Sequence, residues 1–314
     1  MRIDDDKKYS NGVRKMKTLL FTGASGFLGA NILSLLQENY NVDTLAFDRN
    51  ATYNVNFVAD EIKLNRKYDV VLHAAGKAHV IPKTLEEEKL FYDINLEGTK
   101  KLCSALEVVG APKSLIFIST VAVYGCDIGE MITEEHALAG DSPYAKSKFL
   151  AEQFLQEWCN QNNVLLTILR PSLIAGKNPP GNLGAMIKGI TSGKYLSIAG
   201  GVSRKSVLMA CDIAKVIPLC EEKGGIYNIC DDSYPSFHEL ELLISKQLGK
   251  KLPLNIPYWV ANCLAHIGDL MGKKAPINSA RLEKIVKSLT FSNEKIKKEL
   301  GFVPTDVLSN FVIR

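Results

Sequence analysis

The sequence predicts an α/β fold, a doubly wound parallel sheet followed by a smaller, mainly helical C-terminal lobe. Three observations carry that reading. Short apolar runs alternate with helical stretches from Lys17 onward, the pattern of βαβ units. The first unit turns through Thr22-Gly23-Ala24-Ser25-Gly26-Phe27-Leu28-Gly29, three glycines between a strand and a helix. After Arg170-Pro171 the texture changes to breaker-rich loops and to helices interrupted by prolines.

Composition bounds the rest. At 314 residues, 46% apolar and 23% charged, the chain can bury a sizeable core and resembles an ordinary soluble protein. A net charge of +4 with scattered Lys and Arg argues against a nucleic-acid partner. Seven cysteines, an odd number without a C-x-x-C pair, suit neither a disulfide framework nor a metal site. They read as idle thiols of a reducing, cytoplasmic setting. No apolar run approaches the roughly 18 residues of a membrane span, so no membrane partner is expected. Residues 1–15 read as a charged, flexible leader before Met16.

The elements follow in order. Strands are expected at Lys17–Phe21, Asn41–Phe47, Asn56–Ala59, Tyr68–His73, Ser114–Ser119 and Val164–Arg170. Helices are expected from Ala30 to Leu36, from about Leu85 to Val109 with Gly98 tolerated inside, and from Pro143 to Asn160. Residues 16–170 thus form the sheet domain, and a segment of about 205–225, with a helix begun at Asp212, returns to it. Residues 171–204 and 226–314 form the smaller lobe, set against the carboxyl ends of the strands, where such folds hold ligands.

The glycine turn is a physical device. Gly23 permits the tight turn, Gly26 lets a diphosphate approach the backbone, and Gly29 packs helix on strand. Phosphate then meets the free N–H groups along Ser25, Phe27 and Leu28 at the positive end of the helix. Asp48, about twenty residues on at the end of the second strand, suits the two ribose hydroxyls of NAD. The neighbouring Arg49 leaves NADP open. Asp60, ending the expected third strand, is either a partner for the adenine amine or a solvated turn residue.

Tyr144 and Lys148 stand four apart on an expected helix and share a face. Holding a phenolate at pH 7 costs roughly 4 kcal/mol, which a nearby ammonium and the charge of an oxidised nicotinamide reduce. Tyr144 can then exchange a proton with a hydroxyl or ketone during hydride transfer. Ser119-Thr120 at the end of the fifth strand offers a hydroxyl to the same oxygen.

On these residues, with His73-Ala-Ala-Gly76, Asn95-x-x-Gly98-Thr99, Ser119-Thr120-Val-Ala-Val-Tyr124-Gly125, Arg170-Pro171 and Glu299-Leu-Gly-Phe-x-Pro304, the chain resembles an extended short-chain dehydrogenase/reductase. Within that superfamily it is similar to the nucleotide-sugar epimerase/dehydratase group over about residues 17–306. The resemblance implies a Rossmann-type NAD(P) domain with Ala74, Ala75 and Gly76 along the cofactor, and a C-terminal substrate lobe. It implies that Thr120 orients substrate, Tyr144 is the acid/base and Lys148 holds the nicotinamide ribose. A UDP- or dTDP-sugar would lie across the lobe boundary, with Asn182 on the substrate side, and the family allows a homodimer.

Departures from the group's pattern narrow the reaction. Thr120 is followed by Val121-Ala122 instead of the acidic pair of the 4,6-dehydratases, which disfavours dehydration. Arg204 or Lys205 stands where the family holds the diphosphate. His73-Ala-Ala-Gly-Lys-Ala-His79-Val80 is similar to a bacterial subgroup acting at C4 of N-acetylated UDP-hexoses, which would place His79 at the sugar. The expectation is an NAD(P)-dependent 4-keto reductase or 4-epimerase of a UDP-hexose or UDP-N-acetylhexosamine. The alternatives are a catalytically silent dinucleotide sensor and a reductase of a non-sugar carbonyl.

Overall fold

Both faces of the main sheet are covered by helices, which is why its strands read as unbroken apolar runs. The computed structural model describes residues 16–78, 80–271 and 278–313; the expected leader and His79 lie outside them. The first half of the chain forms β1 (Thr18–Thr22), α1 (Phe27–Gln37), β2 (Asn41–Ala46), β3 (Tyr53–Asn54), β4 (Val70–His73), α2 (Leu85–Tyr92), α3 (Gly98–Val109), β5 (Ser114–Ile118), β6 (Gly129–Ile132) and α4 (Pro143–Asn162). There follow β7 (Leu165–Pro171), β8 (Leu173–Ala175), α5 (Gly181–Thr191), β9 (Leu196–Ile198), β10 (Val207–Met209), α6 (Ala210–Cys220) and β11 (Gly225–Ile229). The chain closes with α7 (Phe237–Leu248), β12 (Leu254–Ile256), α8 (Tyr258–Met271), α9 (Ser279–Val286), β13 (Leu289–Phe291), α10 (Glu294–Leu300) and α11 (Val307–Asn310).

Seven parallel strands run in the order β11-β7-β5-β4-β1-β2-β3. Alternate residues of β1 serve opposite faces. Leu19 and Phe21 join the core under α1 and α6, and Leu20 joins the core under α3 and α4. The strand order reverses at β1, so the crevice beyond the carboxyl ends of β1 and β4 is the natural ligand position.

Three expectations are corrected. The third strand is Tyr53–Asn54, paired with Leu45 and Ala46, and not Asn56–Ala59. The Asn56 side chain accepts from the N–H groups of Val58 (2.9 Å) and Ala59 (3.3 Å), and the Asp60 carboxylate accepts from the Asn56 N–H (2.7 Å). Side chain–backbone bonds of this kind compete with a strand ladder. The long helix of 85–109 is broken by a π turn at Asp93–Glu97, a geometry that recurs at functional sites. At its end a Cβ on Gly98 would come within 2.6 Å of the Phe57 ring.

The returning segment also reaches further than 205–225. Gly225–Ile229 pairs with Thr167–Pro171 at the sheet edge, and Ile296 and Phe302 pack into the same core as Leu19 and Ile213. The stretch 226–314 is therefore not a lobe apart. What stands off the sheet is a core of α5, α7 and α11 around Leu183, Ile190, Leu240 and Phe311, and a helix pair, α8 and α9, around Ala261, Ala265 and Leu282.

Candidate active site

The carboxyl ends of β1, β4, β5 and β7 open onto a cavity of about 480 Å³. Gly23, Gly26, Phe27 and Leu28 line it, with Ala74 and Gly76 of the neighbouring loop, and so do Thr120, Tyr144 and Lys148. The glycines are there for contact reasons. Gly23 has φ +81°, and a Cβ on it would sit 2.6 Å from the Ala75 nitrogen. A Cβ on Gly29 would sit 2.1 Å from the Ala24 carbonyl oxygen, so α1 lies directly on the turn. Gly26 is the N-cap of α1 and no side chain caps that helix. The helix therefore presents first-turn N–H groups and the positive end of its dipole to the cleft, the setting that binds phosphate.

A buried histidine ties the two central strands together. Thr99 donates to the Asn95 carbonyl (2.7 Å), so its oxygen accepts from His73 Nε2 (2.8 Å). His73 Nδ1 is then the acceptor for the Thr22 hydroxyl at 2.6 Å. Thr22 Oγ1 in turn accepts from the Ala75 N–H at 3.2 Å, fixing the 74–76 loop against the glycine turn. Burial, with the Lys148 charge adding to it, pushes the His73 pKa down to about 3, so the ring is neutral. The π turn turns Asn95 inward. Its side chain accepts from the Lys77 N–H (2.7 Å) and donates to the Ser147 hydroxyl (2.9 Å), joining the loop after β4 to α4.

α4 starts at Ser142, whose hydroxyl caps the Ala145 N–H, with Pro143 at the first helical position. Tyr144 is thus in the first turn and Lys148 one turn further in. Thr120 caps the 3-10 turn Val121–Tyr124 by accepting from the Ala122 N–H (3.1 Å). Burial raises the Tyr144 pKa, and its hydrogen bond with Thr120 opposes that rise. In the protein alone burial prevails, so Tyr144 is a phenol at neutral pH. Lys148 is 4% exposed, and its ammonium sits 4.0 Å from the centre of the Phe117 ring. Burial brings its pKa down to about 7, against the pull of the Glu152 carboxylate.

Glu152, one further turn along α4, belongs to a buried network. It accepts from Arg170 at 2.5 and 3.1 Å and from the Ser119 hydroxyl. Arg170 also donates to the Tyr124 hydroxyl (3.0 Å), which donates to Asn228 Oδ1 (2.7 Å). The pair is neutral overall, so Lys148 has a nearby anion without a net negative site.

The remaining candidates fall into two sets. Asn182 lines the cavity. Ser25 lies on the exposed outside of the glycine turn, and Ala75 is buried behind it. Asp48 accepts from the Asn50 N–H (2.8 Å) through one oxygen, and Arg49 is exposed beside it. Asp60 closes the Asn56 turn and does not end a strand. Arg204 and Lys205 do not line the cavity and their side chains are engaged elsewhere, although the Arg204 carbonyl accepts from the N–H of Leu289 in the cavity wall (3.0 Å). The Arg204 guanidinium donates to the Tyr234 carbonyl (2.9 Å) and to Glu239 (3.3 Å). Lys205 donates to the carbonyls of Lys284 and Lys287 at the end of α9 (3.0 and 2.9 Å), and burial lowers its pKa to about 8.

Sequence reasoning missed part of the cavity wall. Leu289 and Phe291 come from β13, which pairs with β6, and nothing near either segment signals the other. Lys77, which also lines the cavity, was within reach, since it follows the His73–Gly76 loop directly. Among the described residues no cluster of three or more His, Cys, Asp or Glu is placed to hold a metal ion.

Comparison with known proteins shows the family. A curated 4-epimerase of Escherichia coli O157:H7, acting on N-acetyl-α-D-glucosaminyl-diphospho-ditrans,octacis-undecaprenol, is 31% identical over 93% of this chain and 92% of its own length. The UDP-glucose 4-epimerase of Vibrio cholerae is 25% identical over 95% and 94%. The solved structure of UDP-glucuronic acid 4-epimerase from Bacillus cereus in complex with NAD superposes with a TM-score of 0.72 at 19% identity, over 94% of this chain and 95% of that one, a likeness of fold. A family model matches residues 19–230, and with the glycine turn, the Thr-Tyr-Lys set and these relatives in view the chain belongs to the NAD dependent epimerase/dehydratase family.

Proposed function

We propose that the protein is a 4-epimerase of an N-acetylated hexose carried on a diphosphate, with NAD as its resident cofactor. One observation carries this reading: Thr120, Tyr144 and Lys148 converge in the cavity that begins at the glycine turn. The residues present fit the dinucleotide. The uncapped N-terminus of α1 and the absent side chains at Gly23 and Gly26 make a cradle for its diphosphate. Asp48 would accept from the adenosine ribose hydroxyls, and Lys148 would donate to the nicotinamide ribose. Oxidised NAD, when bound, supplies a reversible two-electron acceptor and a positive charge close to Tyr144.

Thr120 donates to or accepts from the C4 oxygen and holds it beside Tyr144. The Tyr144 oxygen takes the C4 hydroxyl proton as the sugar is oxidised and gives it back after the sugar has turned over. Lys148 lowers the cost of the phenolate that must stand ready before the proton is taken and again after it is returned, and the Glu152 carboxylate supports the Lys148 charge. Val121 and Ala122 line the cavity where a dehydratase needs acidic groups, so water is not eliminated.

Incubation with UDP-N-acetylglucosamine and NAD tests this. The reading expects conversion to the C4 epimer with no lasting change in absorbance at the reduced-nicotinamide band. Stoichiometric consumption of reduced nicotinamide with a keto-sugar would establish a reductase in its place.

A further inference from the structure

Helix α8 is built inside out. Its buried positions are small, Ala261, Ala265 and Gly268, whereas Trp259, Leu264, Ile267, Leu270 and Met271 are exposed, Trp259 at 70% and Leu270 at 90%. At 100° per residue the large side chains form one broad apolar face opposite the buried stripe. The sole carboxylate of the helix, Asp269, accepts from the Ser279 N–H (3.1 Å) and hydroxyl (2.6 Å). Leu252 and Leu254, just before the helix, are exposed as well. A contiguous apolar surface of this kind marks a docking face.

Charge identifies what docks. Between Lys250 and Lys287 the sequence carries seven Lys or Arg against two Asp or Glu, a larger excess than the net +4 of the whole chain. Lys250 and Lys251, just before the helix, are exposed; Lys284 and Lys287 are exposed too and pair with Asp127 and Glu283. An aromatic and aliphatic face within a stretch of excess positive charge is the composition of a helix lying in the headgroup region of an anionic bilayer. No helix among the described residues is long and apolar enough to cross a membrane, so the contact is with the surface.

We infer that the outer face of α8 docks the protein on an anionic phospholipid leaflet. The position has a consequence for the cleft. α8 packs on α9, the end of α9 is held by Lys205, and the chain runs from there into Leu289 and Phe291 of the cavity wall. A docked enzyme would therefore meet a diphosphate sugar carried on a polyprenyl chain at the membrane. That consequence rests on the proposed function; the docking itself does not.

The test uses the full chain with vesicles of phosphatidylethanolamine and phosphatidylglycerol, and of phosphatidylcholine. Co-sedimentation is expected with the anionic vesicles, together with a blue shift of Trp259 emission; the other tryptophan, Trp158, is buried and bonded to Glu107. The double variant Ile267→Glu/Leu270→Glu is expected to bind about tenfold more weakly while keeping its melting temperature and its turnover of a soluble UDP-sugar. The proposal is overturned if the wild type stays in the supernatant, if the variant binds equally well, or if the wild type is a dimer that the variant converts to monomer, since a second copy would then cover the face. Loss of UDP-sugar turnover in a wild type that still binds vesicles overturns the functional reading and leaves the docking intact.

Discussion

At the glycine-turn end of the cleft the walls come from Gly23 to Gly76 and are set by backbone pressed on backbone. At the other end Thr120 and Tyr144 face segments as distant as Asn182, Leu289 and Phe291, and what holds them is a buried chain of charges and hydroxyls from Ser119 to Asn228. The first end is fixed by shape, since a Cβ at Gly23 or Gly29 would strike main-chain atoms. The second end is electrostatic in character, since the ionisation of Lys148 depends on burial and on Glu152, and that of Tyr144 on burial and on Thr120. Damage to the first should appear as lost cofactor and fold, and damage to the second as lost rate.

Tyr144→Phe attacks the chemical end alone. Turnover should fall about a thousandfold, the usual scale of a lost acid/base, with the melting temperature unchanged; steady-state rates beside a thermal melt check it. A wild-type rate would remove Tyr144 from the mechanism.

Glu152→Gln joins the two kinds of damage. It strands Arg170, which is 2% exposed, and breaking a buried pair costs about 3–5 kcal/mol. It also removes the anion that supports the Lys148 charge. Urea unfolding should show the loss in stability, and the variant protein that remains folded should bind NAD more weakly.

The glycine end carries its own pH signature through His73. Its pKa is about 3 in the fold against 6.5 ordinarily, so below pH 6.5 the unfolded chain binds a proton that the folded chain does not. The stability it contributes is complete above about pH 6.5 and drains away by about 1.4 kcal/mol per pH unit as pH falls toward 3. Unfolding free energies at pH 7, 6 and 5 should show that slope, and His73→Gln should flatten it. Lys148 acts in a higher window. Its lowered pKa penalises the fold below about 7, and the penalty lifts as pH rises from about 7 toward 10.5.

Arg204→Met should do least. Its guanidinium is exposed and occupied by Tyr234 and Glu239, so stability should change by about 0.5 kcal/mol and KM for the sugar by less than about threefold. A tenfold rise in KM at constant kcat would return it to the diphosphate.

The same contrast decides how much could be read from the sequence. The glycine turn, β1, β4, β5 and the Tyr144–Lys148 pair were legible because each is set by neighbours a few positions away. β3 was misplaced because Asn56 and Asp60 bond to nearby backbone, which apolar patterning does not reveal. The π turn that aims Asn95 inward reads as ordinary helix. The sheet position of Ile226–Ile229 depends on its pairing with β7, and Phe291 reaches the cleft only through its pairing with β6. Arg204 and Lys205 stand at the expected place in the chain, but local carbonyls and Glu239 claim their charges.

In the proposed reaction Tyr144 moves a proton while the C4 hydrogen leaves and returns within one closed site. The direct measurement is turnover of UDP-N-acetylglucosamine deuterated at C4, with the product analysed by mass spectrometry and NMR. A closed site in which Tyr144 holds the proton gives the C4 epimer with its deuterium still on C4, and no label in water. Deuterium washed into solvent, or a product epimerised at another carbon, would contradict it.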